Sequence, residues 1–248
     1  MKRLLLMLLI AVLVLLCIPC TALADEAYEI TDYSVRIKVL ENNVLDVEER
    51  LTVNFTQERH GIYYNLQVSG EAFHDINGEL VPTAYSQKIY DFNVAGAPFE
   101  LSQEGDYLTA KIGDPDKLIS GEQEYIITYK CQAGDDGFSE FDEFYRNIIN
   151  CAVGDTIQNA SFEIEMPKDF DASKAGVSLA AYGDADSGGV VWEKDGNTLK
   201  GYATRPITGG EIMTVRIELP NGYFNAANAY LPNYFILVYT ILRLLLRA

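Results

Sequence analysis

Histidine is almost missing from this chain, with two residues in 248, and tryptophan occurs once. A structural zinc site needs a cluster of cysteine and histidine, and no such cluster is spaced along the sequence. Imidazole acid–base chemistry is equally short of material: His60 and His74 each stand without a second nearby histidine, and His60 is expected in a turn or in packing. Basic residues are scarce as well, 19 against 36 acidic ones, for a formal net charge of -17. Such a surface repels phosphate backbones, which argues against nucleic acid as a partner; a solvated acidic exterior is the plain alternative to a cation or a basic ligand. There is no phosphate-binding glycine loop, no internal repeat, no low-complexity linker and no amphipathic helix within the central part. No catalytic, cofactor-binding or metal residue is assigned from the sequence, and no cofactor is expected.

Two runs of apolar residues bracket what remains. Lys2 and Arg3 precede the run Leu4 to Ile18, and Ala22-Leu23-Ala24 forms a small-residue cleavage signal. Residues 1–24 are therefore expected to be a signal peptide, with an uncleaved anchor as the alternative. Cys20 lacks the small residue before it that lipidation requires, since Ile18 and Pro19 stand there. Removal of the leader takes away two basic and no acidic side chains, so 17 basic against 36 acidic leaves -19. At the other end, Leu231 to Leu246 is apolar apart from Pro232, Asn233, Arg243 and a few aromatic and small residues. As a helix it reaches about 24 Å, short of a hydrocarbon core of about 30 Å. Arg243 and Arg247 would lie on the cytoplasmic side, leaving the main domain outside. The segment is expected to be a transmembrane or membrane-anchoring helix; a surface helix or a packed tail is the alternative.

Between these runs, residues 25–222 alternate with a period of two. Tyr33, Val35, Ile37 and Val39 share a face, Glu41 to Asn43 make a turn, and Leu45, Val47, Leu51, Val53 and Phe55 return. Asp46, Glu48, Arg50, Thr52 and Asn54 form the wet face of that hairpin, and Glu49 is the exception on its apolar side. Gly61 permits a sharp backbone change. Phe73 to Pro82 reads as loop. Strand patterns return at Tyr90–Val94, Tyr107–Ile112, Glu124–Cys131, Ala160–Met166, Val177–Ala181, Val190–Trp192, Thr198–Tyr202 and Ile212–Leu219. The fold class is all-β, a mostly antiparallel β-sandwich, either continuous or in two stacked lobes divided near Gly134.

Leader removal also leaves two cysteines, Cys131 and Cys151, with 19 residues between them. In an oxidising compartment they either pair, closing a loop worth about 3 kcal/mol in the chain-entropy view, or stay as two buried thiols; only geometry decides.

Several segments in order resemble the predicted bacterial membrane proteins whose extracytoplasmic N-terminal domain is catalogued as domain of unknown function 2207. They are Tyr33 to Ile37, Leu45 to Thr52, His60 to Tyr63, Gly121 to Tyr129, Asp142 to Asn147, Ile157 to Ala160 and Pro167. The resemblance spans about Tyr28 to Gly222. It implies a secreted β-rich domain followed by membrane helices and supplies no catalytic residues. Such proteins usually continue through several helices, so a shortened member or a truncated reading frame is expected here.

Three local patterns invite chemistry. Asp186-Ser187-Gly188-Gly189 resembles a serine-protease nucleophile strip, but neither histidine stands in a matching context, and a glycine-rich turn is the expectation. Asp184, Asp186, Gly189 and Asp195 resemble a calcium loop without the flanking helices. Asp135, Asp136, Glu140, Asp142 and Glu143 form a second acidic cluster, expected to be a solvated loop. The resulting expectation is a non-catalytic interaction or sensing domain, tethered at the cell membrane with its main domain extracytoplasmic and contacting a protein or envelope component. An envelope-acting hydrolase with an acidic cleft and a structural spacer for a multi-span protein are the alternatives.

Overall fold

The structure is a computed structural model and describes residues 27–225 except 77–78, 133–137, 139 and 182–187. The expected signal peptide, residues 1–24, and the Leu231–Leu246 segment lie outside the described residues. Among those described, no helix is long and apolar enough to cross a membrane. The described residues are strand almost throughout. The opening hairpin is β1 (Tyr28–Val39) and β2 (Val44–Arg59), followed by β3 (Gly61–Gln67), β4 (Ser69–Ile76), β5 (Glu79–Ser86), β6 (Lys88–Ala95), β7 (Phe99–Glu104) and β8 (Tyr107–Gly113). Then come β9 (Ile119–Gln132), β10 (Phe141–Asn150) and β11 (Thr156–Glu165). After a single 3₁₀ turn, Ala172–Lys174, the chain ends in β12 (Ala175–Ala181), β13 (Val190–Asp195), β14 (Thr198–Ala203), the short β15 (Ile207–Thr208) and β16 (Glu211–Pro220).

One sheet forms the platform, in the order β13-β14-β11-β1-β2-β9-β6, with β15 beside β11. Its two faces follow from the alternation. Tyr33, Val35, Ile37, Leu45, Val47, Leu51, Ile127, Tyr129, Phe162 and Ile164 point inward and are buried. The outer face carries charge ladders such as Arg36–Glu163 at 3.8 Å and Lys38–Glu165 at 3.3 Å, all largely exposed. Pairs of this kind contribute little each and keep the face wet.

Two smaller sheets cover the inner face, β10-β16-β12 over one half and β3-β8-β7 over the other. The first contributes Phe144, Leu179, Met213, Val215 and Ile217, the second Ile62, Tyr64, Leu66, Ala110 and Ile112, and all belong to one core. Each fully buried aliphatic side chain here contributes about 1.5–3 kcal/mol.

The division of the chain into lobes near Gly134 does not occur, because the platform draws strands from both halves. Its join is β1 with β11, a parallel pair with Val35 opposite Phe162, the exception in an otherwise antiparallel ladder. Phe73 to Pro82 is also corrected: the segment lies in the β4–β5 hairpin, paired from Ser69/Ser86 to Ile76/Glu79. Its alternation is broken by His74, Asp75 and Pro82, so the period of two is not visible there.

The turns follow their chemistry. Asn43 takes φ 57°, a left-handed conformation that asparagine tolerates, and its N–H donates to the Leu40 carbonyl at 3.0 Å. Gly61 and Gly113 face each other at the start of the β3–β8 ladder with φ of 147° and 134°. A Cβ on Gly61 would lie 1.9 Å from the Ile112 oxygen, and one on Gly113 1.9 Å from that of His60. Glycine is required at both places for close backbone approach.

Candidate functional site

The second layer changes from one small sheet to the other above the middle of the platform, and the interior is polar there. Glu49 projects from β2 into the core with 2% exposure. Three phenols meet it. Tyr64 and Tyr129 donate to Oε1 at 2.8 and 2.7 Å, and Tyr33 donates to Oε2. The register explains the convergence. Glu49 lies opposite Val35 on one side and Ile127 on the other, so Tyr33 and Tyr129 are its diagonal neighbours on the same face. Tyr64 comes from β3 in the covering layer.

Burial pushes the Glu49 carboxyl above its ordinary range, while the hydrogen bonds from Tyr33, Tyr129 and Tyr64 and the charge of Arg146 pull it back. The three phenols are pushed well above theirs, first by burial and then chiefly by the facing carboxylate. They stay hydroxyl donors at any physiological pH. Phe92 closes the cage, stacked on Tyr129 with centroids 6.0 Å apart and tilted against Tyr64 at 6.2 Å.

A second cluster continues from the first. Arg146, from β10, donates through Nη1 to Gln87 Oε1 and approaches Cys131 Sγ at 3.3 Å. The Cys131 thiol donates to the same Gln87 oxygen at 3.0 Å. Burial raises the Cys131 thiol above its usual range, with Arg146 partly opposing. A thiol in that state is a poor nucleophile.

Cys151 is held elsewhere, its sulfur 3.4 Å from the Ile207 carbonyl oxygen and 3.2 Å from that of Asp155. Burial, followed by the charge of Asp155, raises it to about 11. The two cysteines are separate buried thiols. They sit at opposite ends of the sandwich: Cys131 pairs with Leu45 near the β1–β2 turn, and Cys151 follows β10 where its N–H bonds Glu211 at the far end.

The other sequence candidates do not come together. His60 is exposed, with Nδ1 3.1 Å from the Lys117 carbonyl oxygen, a turn contact. Asp184, Asp186 and Ser187 lie outside the described residues, and Asp195 makes an exposed ion pair with Lys200 at 3.4 Å. In the second acidic cluster Asp135 and Asp136 also lie outside the described residues, while Asp142 and Glu143 serve the fold. Asp142 Oδ2 accepts from Phe224 N at 2.9 Å, and Glu143 takes Arg216 Nε at 2.6 Å with its own side chain 1% exposed. Among the described residues no three His, Cys, Asp or Glu side chains are grouped to hold a metal ion. Sequence reading picked out Glu49 by its wrong-face position. It missed the phenol cage and Arg146, because tyrosine in an alternating strand reads as core.

Chemically, the arrangement is a closed polar network. Each Glu49 oxygen already accepts phenol hydrogen bonds, so the carboxylate is engaged by the fold.

No curated protein matches the sequence. Among solved structures, leukotriene A4 hydrolase from Saccharomyces cerevisiae aligns with 10% identity and a TM-score of 0.46, over 77% of this chain and 29% of that one. An M1 zinc metallopeptidase from Deinococcus radiodurans aligns with 9% identity and a TM-score of 0.38, over 76% of this chain and 42% of that one. A putative nutrient binding protein from Legionella pneumophila gives 10% identity and 0.39, over 77% and 67%. The chain thus spans under a third of the yeast hydrolase and under half of the peptidase. Residues 29–219, the platform and both covering sheets, match the N-terminal domain of a predicted membrane protein family, and the chain belongs to that family, DUF2207.

Proposed function

We propose that this chain supplies an extracytoplasmic, membrane-tethered interaction or sensing domain without catalytic activity, contacting a protein or an envelope component. The observation that carries the non-catalytic reading is the closure of the interior network: the buried carboxylate accepts from three phenols, and the buried Cys131 thiol and the half-buried Arg146 guanidinium share Gln87. A general acid, base or nucleophile needs a face open to substrate. The compartment rests on the sequence: residues 1–24 serve as the export signal, and Leu231 to Leu246 as the anchor. Membership of a predicted membrane protein family supports the tether.

Expression of the full chain in a bacterial host tests this reading. The expected product begins at Asp25, fractionates with membranes and loses its domain to protease added outside intact spheroplasts. A chain recovered in the cytosol, or one protected until the cells are lysed, overturns it.

A further inference from the structure

The path of the chain out of the sandwich specifies how the domain meets the membrane, if the tether proposed above is correct. Strand β1 begins at Tyr28 and ends at Val39, so its two ends lie about 36 Å apart. The start of the domain is at one end of this axis, where Tyr28 pairs with Phe55 and its hydroxyl donates to Asp155 at 3.2 Å. The exit is at the other. There Asn225 N donates to the Glu41 carbonyl at 2.6 Å and its amide donates to the Glu41 carboxylate at 2.7 Å, beside the β1–β2 turn.

The exit is also pinned by its neighbours. Phe224 N donates to Asp142 at 2.9 Å, Lys168 Nζ donates to the Tyr223 carbonyl at 2.6 Å, and the same ammonium lies 5.4 Å from the Tyr223 ring centroid. From that fixed point only six residue steps lead to Leu231, about 20 Å at full extension. A connection of that length keeps the exit end within about 20 Å of the start of the anchor.

Aromatic rings gather at the exit end. Phe138 and Phe141 stack with centroids 4.4 Å apart, and Tyr223 and Phe224 meet edge to face at 5.2 Å. Phe138, Phe141 and Phe224 are each only partly buried. Phenylalanine on the apolar side of a membrane-surface element is buried at the boundary between headgroups and acyl chains. Of the acidic groups beside them, Glu41 and Asp142 are turned to holding the chain, and Glu140, between Phe138 and Phe141, is exposed.

We infer that the sandwich stands end-on on the outer leaflet, with Phe138, Phe141 and Phe224 in the lipid interface and the Tyr28 end directed away from it. The far end, with Tyr28 and Asp155, is then the part that reaches a partner.

The test uses the mature chain, Asp25 to Ala248, reconstituted into phosphatidylcholine vesicles brominated at shallow acyl positions. Trp192 is changed to Phe, and a single reporter is introduced as Phe224→Trp, Phe141→Trp or Tyr28→Trp. Strong loss of fluorescence for Phe224→Trp and Phe141→Trp, with none for Tyr28→Trp, is the expected result; two exit-end reporters guard against one failing to fold. Equal quenching at both ends, or none at the exit end while the chain floats with the vesicles, overturns the docking and leaves the tether standing. A chain that does not float with the vesicles overturns both.

Discussion

Glu49 lies between Glu48 and Arg50 in sequence, yet the three side chains have opposite fates. Glu48 and Arg50 pair at 3.0 Å on the wet face, while Glu49 enters the core. Replacement by alanine strands three buried phenols, each costing about 1–3 kcal/mol, so Glu49→Ala is expected to lower stability by roughly 3 kcal/mol or more in denaturant unfolding. Tyr129→Phe removes one donor to a charged group and should cost about 1.5–3 kcal/mol.

The pH dependence has a definite sign. The folded-state carboxyl of Glu49 lies above its unfolded value of about 4.3. Its contribution to stability is therefore fully present below that unfolded value and is lost as pH rises through the folded one. Glu49→Gln should remove this component. Measured as unfolding free energy from pH 4 upward, about where the unfolded carboxyl titrates, the difference should move in favour of the Gln variant. A constant difference across the range would contradict the raised carboxyl.

The cysteines belong to the same scale. Cys131 is 0% and Cys151 4% exposed, and both thiols are raised by burial. Neither is expected to react with a thiol reagent until the protein is unfolded, when both should label, and reducing agent should leave the melting temperature unchanged.

At the scale of elements, the facing glycines Gly61 and Gly113 set where the β3–β8 sheet starts. An alanine at either place drives a methyl into a carbonyl across the ladder and takes a backbone conformation that L-residues rarely adopt. Gly61→Ala is expected to cost more than about 1–3 kcal/mol, the strain of the dihedral alone, in thermal or denaturant unfolding. Gly105, at φ 56° with open space around it, should cost less under the same change. Gly61 is legible in the sequence as a point of backbone change, but the need for its partner is not, since Gly113 lies 52 positions later. The β4–β5 hairpin was not legible for a related reason: its pairing is carried by backbone bonds along a segment whose side chains do not alternate.

For the whole molecule, the platform is built from both halves of the chain, and its central join is the parallel pair β1–β11. A parallel join links residues more than 120 positions apart, so its closure waits on the rest of the sheet. Cutting the chain between its halves is expected to leave neither fragment folded: residues 25–132 alone should show no cooperative unfolding transition, since β1 would lose its β11 neighbour and the covering β10-β16-β12 sheet. The acidic outer face carries exposed ion pairs that contribute little each, so raising the salt concentration should change the melting temperature only slightly.

Alternation of apolar and polar residues determined the all-β class, the inward faces of β1, β2, β9, β11 and β16, and the odd position of Glu49. This pattern is local, and a period of two needs no partner strand to be visible. The tertiary structure alone decided which strands lie side by side, that β1 runs parallel to β11, that Tyr33, Tyr64 and Tyr129 converge on one carboxylate, and that Cys131 and Cys151 stand at opposite ends. Each of these is a meeting of residues far apart in the chain, fixed by register and by the packing of one sheet on another, and composition and spacing carry no record of it.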